Sequence, residues 1–168
     1  MGRVKEGRGN LIGNAGEHFV MAELLRHDIV AALAPRNAPG IDILADSGKY
    51  TYRIRVKTKS HEAESWVWMA KWEEPEATIF PGLNGESRNY KDDLIALVDV
   101  PKAGPPTIHL LSTTVVDRFL KKNHQEYLDT PGRGGRRHQP SRMRRLETGE
   151  DLEKLSRESP VGWQDIKG

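Results

Sequence analysis

Residues 50–59 read Tyr-Thr-Tyr-Arg-Ile-Arg-Val-Lys-Thr-Lys. Side chains alternate across a strand, so Arg53, Arg55, Lys57 and Lys59 share one face while Ile54, Val56 and Thr58 take the other. Four like charges about 6–7 Å apart repel one another unless something anionic lies among them. Two anions suit the ladder: Asp42, in Pro39-Gly40-Ile41-Asp42, and the phosphates of a nucleic acid. Taken alone, the ladder also fits the solvent face of an edge strand, where cations discourage edge-to-edge pairing. Asp42 adds chemistry. Aspartate is disfavoured in strands, and an ionised carboxylate beside Ile41, Ile43 and Leu44 needs a paired charge or a bound cation.

A second acid stands upstream. Glu17 lies in Gly13-Asn14-Ala15-Gly16-Glu17-His18-Phe19-Val20, three residues after a possible N-cap at Asn14, so a capping box accounts for it without any catalytic role. It also lies three and four residues before Val20 and Met21, on the side of a helix that packs, where a carboxylate needs a partner. Both readings stay open.

The order is a glutamate on an amphipathic helix, then an aspartate entering one strand, then a lysine in the middle of the next. In Glu17, Asp42 and Lys57 of Arg55-Val56-Lys57-Thr58, that order resembles the PD-(D/E)XK nuclease superfamily. The resemblance implies a restriction-endonuclease-like α/β core with a mixed central sheet flanked by helices, spanning roughly residues 11 to 125. It implies metal-assisted phosphodiester hydrolysis, with Asp42 and Glu17 as Mg²⁺ ligands and Lys57 assisting the attacking water. In the family a glutamate or glutamine stands two residues before the lysine; here that position is Arg55. A guanidinium has no acceptor and stays charged, so it cannot ligate a cation. Three outcomes follow: Arg55 pairs with Asp42, Arg55 contacts phosphate on a surface that only binds, or a nearby carboxylate such as Glu62 or Glu64 replaces the missing ligand.

Other chemistry is absent from the sequence. It has no cysteine, so neither disulfides nor thiolate metal sites are available. Its six histidines show no ligand spacing, and there is no nucleophile elbow or phosphate loop. Trp66 and Trp68 share one strand face, where they could stack on bases but are assigned to the core.

The elements around these residues follow from apolar periodicity and breakers. The pattern predicts a helix over 14–27 with an apolar stripe of Phe19, Val20, Leu24 and Leu25. Strands are predicted at 29–34, 41–45, 50–59 and 66–70, then a long loop over 71–93. Two buried strands at 94–100 and 107–111 precede a helix over 113–123 that carries Val115, Val116, Phe119 and Leu120. The segment 130–145 reads as disordered, and 149–155 as a last helix. From Gly132 to Leu146 there are six arginines and no acid, a composition suited to phosphate contact by counterion release.

At 168 residues the chain fits one domain with a tail: a nuclease-like domain over 1–128 and a basic, partly flexible extension over 129–168. Charged residues make up 30% and the net charge is only +2, so placement of charge matters more than its sum. No apolar run approaches the roughly 18 residues needed to span a bilayer, and the first ten residues lack the apolar region of a secretory signal. The expected protein is cytoplasmic, makes no membrane contact, and binds nucleic acid, DNA first, through Arg53, Arg55, Lys59, Arg136 and Arg137. A homodimer is compatible with this reading. The alternatives are a catalytically inactive nucleic-acid-binding module on the same fold, and a domain whose basic strand meets an acidic protein.

Overall fold

The computed structural model describes residues 8–35, 38, 40–70, 73, 77, 93–159 and 161–167. In chain order the elements are α1 (Arg8–Arg26), β1 (Val30–Leu33), β2 (Ile43–Asp46), β3 (Thr51–Ser60) and β4 (Ser65–Met69). Then come β5 (Asp93–Val100), β6 (Thr107–Ser112), α2 (Thr113–Asp129), β7 (Met143–Glu147), α3 (Glu150–Glu158) and α4 (Trp163–Lys167). The expected 71–93 loop lies outside the described residues save for Glu73, Ala77 and the start of β5. No described helix is long and apolar enough to cross a membrane.

The protein is a mixed α/β fold whose central five-stranded sheet has the order β1-β2-β3-β5-β6. Only β3 and β5 run parallel, with Arg55 beside Ile95 and Lys59 beside Asp99; the other pairs are antiparallel. A second, two-stranded ribbon joins β4 to β7. Parallel neighbours need a crossover, and here it runs through β4 and the 70–92 connection. The hairpin from β2 to β3 closes at Asp46-Ser47-Gly48: Asp46 Oδ1 accepts the Gly48 N–H at 2.7 Å, and Gly48 adopts φ +80°, which costs glycine nothing.

Because β5 is a near-continuous apolar run, it is buried on both faces. Leu94, Ala96 and Val98 point into a core with Val20, Leu24, Ile43, Ile54 and Ile166. Ile95 and Leu97 point into a second core with Trp66, Trp68, Leu111, Val116, Leu120, Leu146 and Leu155. The first core lies under α1, the second under α2, α3 and the ribbon. Trp66 and Trp68 are therefore core residues, as expected, with 1% and 5% exposure.

Three differences from the sequence reading have physical causes. Helix α1 starts by Arg8 rather than at residue 14, so Asn14 and Glu17 lie inside it and the capping-box reading of Glu17 is overturned. Glycines at 13 and 16 look like helix punctuation, at about 1 kcal/mol each against alanine, yet Gly16 is where the helix touches the sheet: a Cβ there would overlap Thr58 Oγ1. The buried stripe is accordingly Gly16, Val20 and Leu24, spaced by four, whereas Phe19 and Leu25 are 38% and 54% exposed. Second, α2 runs on to Asp129, past the expected boundary at 128. Third, the basic segment does not stay irregular: it contains a short 3-10 turn at Arg133–Gly135 and then enters β7, where Arg144 and Leu146 alternate inward. Leu146, Leu155 and Ile166, all in the expected extension, are fully buried in the two cores.

Candidate nucleic-acid interface

Asp42 sits just before β2, clamped by its own backbone. Its N–H donates to the Ile54 carbonyl at 3.0 Å and its carbonyl accepts the Ala34 N–H at 2.8 Å. Its Oδ2 accepts the Val56 N–H at 2.7 Å. Since Ile43 is opposite Ile54, the carboxylate falls level with Arg55 on β3, and side chains opposite each other in an antiparallel pair share a face. Lys57 follows two residues on.

These three charges lie close enough to act on one another. Burial pushes the Arg55 guanidinium below its ordinary pKa, and the Asp42 carboxylate opposes that shift. Burial also pushes the Lys57 ammonium down, Arg55 pushes it in the same direction, and Asp42 works against both. Among these three groups one carboxylate faces two partly buried cations and opposes the shift of both.

The rest of the ladder divides. Arg53 is half-buried on the same face. Lys59, expected to contact nucleic acid, is instead 8% exposed, with Nζ 2.6 Å from Asp99 Oδ2 and 5.1 Å from the centre of the Trp66 ring. Lys57 Nζ is 5.8 Å from the Trp68 ring. Sequence reasoning missed Asp99, which reads as one polar residue at the end of an apolar strand; the signal available was its approach to Lys59 once 50–59 and 94–100 are paired in parallel.

Glu17 is half-buried on α1, next to the Gly16 that rests on Thr58. Thr58 belongs to the α1 face of β3, whereas Lys57 belongs to the other. Glu62 and Glu64 are exposed beyond the far end of β3. Five residues of strand from Arg55 to Ser60 span about 17 Å, so neither acid replaces a ligand at Asp42. Among the described residues no three histidines or acids converge to hold a metal. With a guanidinium level with Asp42 and one carboxylate oxygen taken by Val56, the donor set does not fit Mg²⁺, which needs carboxylate oxygens free of competing cations.

The basic segment is split by burial. Arg133, Arg136 and Arg137 are exposed. Arg142 Nε donates to the Ala70 carbonyl at 2.9 Å, bracing the ribbon. Arg144 is 2% exposed and its Nη1 donates to the Ser141 carbonyl at 2.6 Å.

No family model matches the chain, and no curated protein does. Among solved structures, it is similar to a bacterial homing endonuclease at 14% identity over 68% of this chain and 69% of that one, with a TM-score of 0.38. It is also similar to Hjc, a Holliday junction resolvase from the archaeal hyperthermophile Archaeoglobus fulgidus, at 16% identity over 85% of this chain and 88% of that one, with a TM-score of 0.46.

Proposed function

We propose that this protein binds nucleic acid, DNA first, on a restriction-endonuclease-like core, through phosphate contacts centred on Arg55 and Lys57. The observation that carries the reading is Arg55 level with Asp42, with Lys57 next along the same strand face. Asp42 offsets part of the guanidinium's charge, and a phosphate at this face would meet Arg55 and Lys57 together. Arg can engage a phosphate with two parallel N–H donors, and Lys acts as a point charge. Arg53 and the exposed Arg136 and Arg137 extend the contact along the backbone of the strand. In this reading the protein acts in the cytoplasm, a metal plays no part in binding, and homodimerisation is a matter for sedimentation.

The second reading, Mg²⁺-dependent phosphodiester hydrolysis, keeps one favourable observation: Lys57 stands beside Asp42 with its pKa pushed down. Each reading has its own assay. Binding of a duplex and of a single strand is titrated at several salt concentrations, since each neutralised phosphate on duplex DNA contributes a slope near 0.9 in log K against log salt. Arg136→Ala with Arg137→Ala should reduce that slope by about 2. Absence of binding at low salt, or binding indifferent to salt, refutes the proposal.

A further inference from the structure

Helix α1 carries a second stripe, on the side away from the sheet. Its inward stripe is Gly16, Val20 and Leu24. At about 100° per residue, Leu11, Ala15, His18, Ala22 and Leu25 fall on the opposite side of the helix. Leu11 is 68% exposed and Leu25 54%, His18 and Ala22 are exposed, and Ala15 is half-buried. Single exposed leucines are ordinary in a folded chain. The spacing is what distinguishes these. From Leu11 to Leu25 the steps are four, three, four and three residues, the heptad alternation that keeps a seam of side chains facing a partner helix.

The seam has its own symmetry. Leu11 lies seven residues before His18 and Leu25 seven after, with an alanine of the seam between each leucine and the histidine. An antiparallel copy laid against it brings Leu11 to the partner's Leu25, Ala15 beside the partner's Ala22, and the two His18 side chains together on the two-fold axis. Such self-complementarity is what an isologous interface requires, and a foreign helix would not need it. Alanine at alternate positions lets the backbones approach closely. Antiparallel order sets the N-terminus of each helix beside the C-terminus of the other, so the dipoles attract. Charge does not oppose the pairing: the seam holds no Asp, Glu, Lys or Arg, and at its border Arg26 is paired with Glu23 at 2.8 Å.

We infer that the outer face of α1 is an interface between two copies of this chain, packed antiparallel about His18. A polar residue in the middle of such a seam fixes register at a cost in affinity. The seam is about 21 Å long, so one helix pair covers less than the roughly 1,600 Å² of a standard interface, and the dimer forms at micromolar concentrations. Lys57 belongs to the sheet face away from α1. Pairing through α1 therefore does not touch the Arg55 and Lys57 face of either copy, and it stands whether or not that face binds nucleic acid.

The test is sedimentation equilibrium of the full chain between about 1 and 200 µM, where a micromolar dissociation constant is read. The average mass should rise from one chain toward two. Leu25→Glu should raise the dissociation constant about tenfold or more, while melting within about 2 °C of wild type at about 1 µM, where both are monomeric. His18→Leu should lower it about tenfold, because it completes the apolar seam; a histidine that merely faces water would give no such gain. Arg55→Ala should leave it unchanged. Orientation is read by crosslinking, since the chain has no cysteine of its own. His18→Cys should form a disulfide dimer with itself, and an equal mixture of Leu11→Cys and Leu25→Cys should form one that neither variant forms alone. A chain still monomeric at about 200 µM overturns the inference and leaves the seam to a different partner. So does a mass indifferent to both Leu25→Glu and His18→Leu, and so do Leu11→Cys and Leu25→Cys variants that each crosslink to themselves and not to one another.

Discussion

Arg55→Glu is the substitution that separates a cation held at Asp42 by the chain from one held by the solvent. Side chains directly opposed in an antiparallel pair have Cβ atoms about 4.5–5.5 Å apart. At about 5 Å and an effective dielectric near 20, one pair of unit charges interacts by about 3 kcal/mol. Replacing attraction by repulsion doubles that figure, but the site is half open to water and exposed pairs realise a fraction of it. The expected loss is about 1–2 kcal/mol, or about 3–6 °C in melting temperature for a chain of this size. Two facing carboxylates then form the acceptor pair that the wild type lacks. A divalent cation at 10 mM with a dissociation constant near 1 mM would restore about 1.4 kcal/mol. Melting curves with and without Mg²⁺ or Mn²⁺, calorimetry with Mn²⁺, and a plasmid-nicking assay read all three effects. The variant should be less stable without metal and should gain more from it than wild type does. Equal stabilisation of both proteins by metal refutes the argument, and so does wild-type nicking that requires Mg²⁺ and disappears in Asp42→Ala.

Three further outcomes follow from the same structure. The depressed pKa of Lys57 means the folded chain loses that proton before the unfolded chain does, so stability should rise with pH between the lowered value and about 10.4. Lys57→Met should flatten that rise and leave the neutral melting temperature unchanged or slightly higher while weakening nucleic-acid binding; an unchanged pH profile refutes this. Asp99→Asn leaves the buried Lys59 without its counter-charge and should cost about 2–3 kcal/mol, less than a fully buried pair because Asp99 is one-third exposed; a loss below about 0.5 kcal/mol in denaturant unfolding would show that water already shares the pair. Gly16→Ala should lower stability by about 1–2 kcal/mol despite the better helix former, and adding Thr58→Ala should recover only part, because Thr58 Cβ itself lies 2.9 Å from the added carbon; full recovery would place the strain in the hydroxyl alone.

What the sequence made legible was what periodicity and charge encode. The alternation in 50–59 identified β3 and its cationic face, the apolar runs at 94–100 and 107–111 identified the buried strands, and Val116, Phe119 and Leu120 identified the inner face of α2. That Asp42 lies level with Arg55 follows from the β2–β3 register, which no sequence pattern gives. Three things were hidden. Gly16 reads as a helix breaker because the reason for it, the close approach of Thr58, is tertiary. Lys59 reads like its neighbours on the ladder because burial by Trp66 and pairing with Asp99 both come from distant segments. Residues 143–147 read as basic and irregular because Arg144, which occupies a buried position there, counts as polar in any pattern.

The last two of these hidden features share one cause, and it bears on where nucleic acid would lie. The β4–β7 ribbon covers the cationic face of β3 toward its C-terminal end, where Trp68 and Trp66 sit over Lys57 and Lys59. Under that cover a lysine needs a fixed counter-charge, and Asp99 is level with Lys59 in the parallel register. Toward the other end, Arg53 and Arg55 are half-buried opposite Leu44 and Asp42 across the β2 hairpin, where Leu44 is 40% exposed. A single ladder thus carries a lysine fixed by Asp99 at one end and half-buried arginines at the other, according to what packs on it. The same ribbon carries Arg136 and Arg137 in the chain leading to β7, so the exposed arginines enter on the side of the sheet that Arg55 and Lys57 occupy. A phosphate backbone crossing that side would meet cations from two segments more than 70 residues apart, which is why single-arginine variants in either segment should weaken binding without abolishing it.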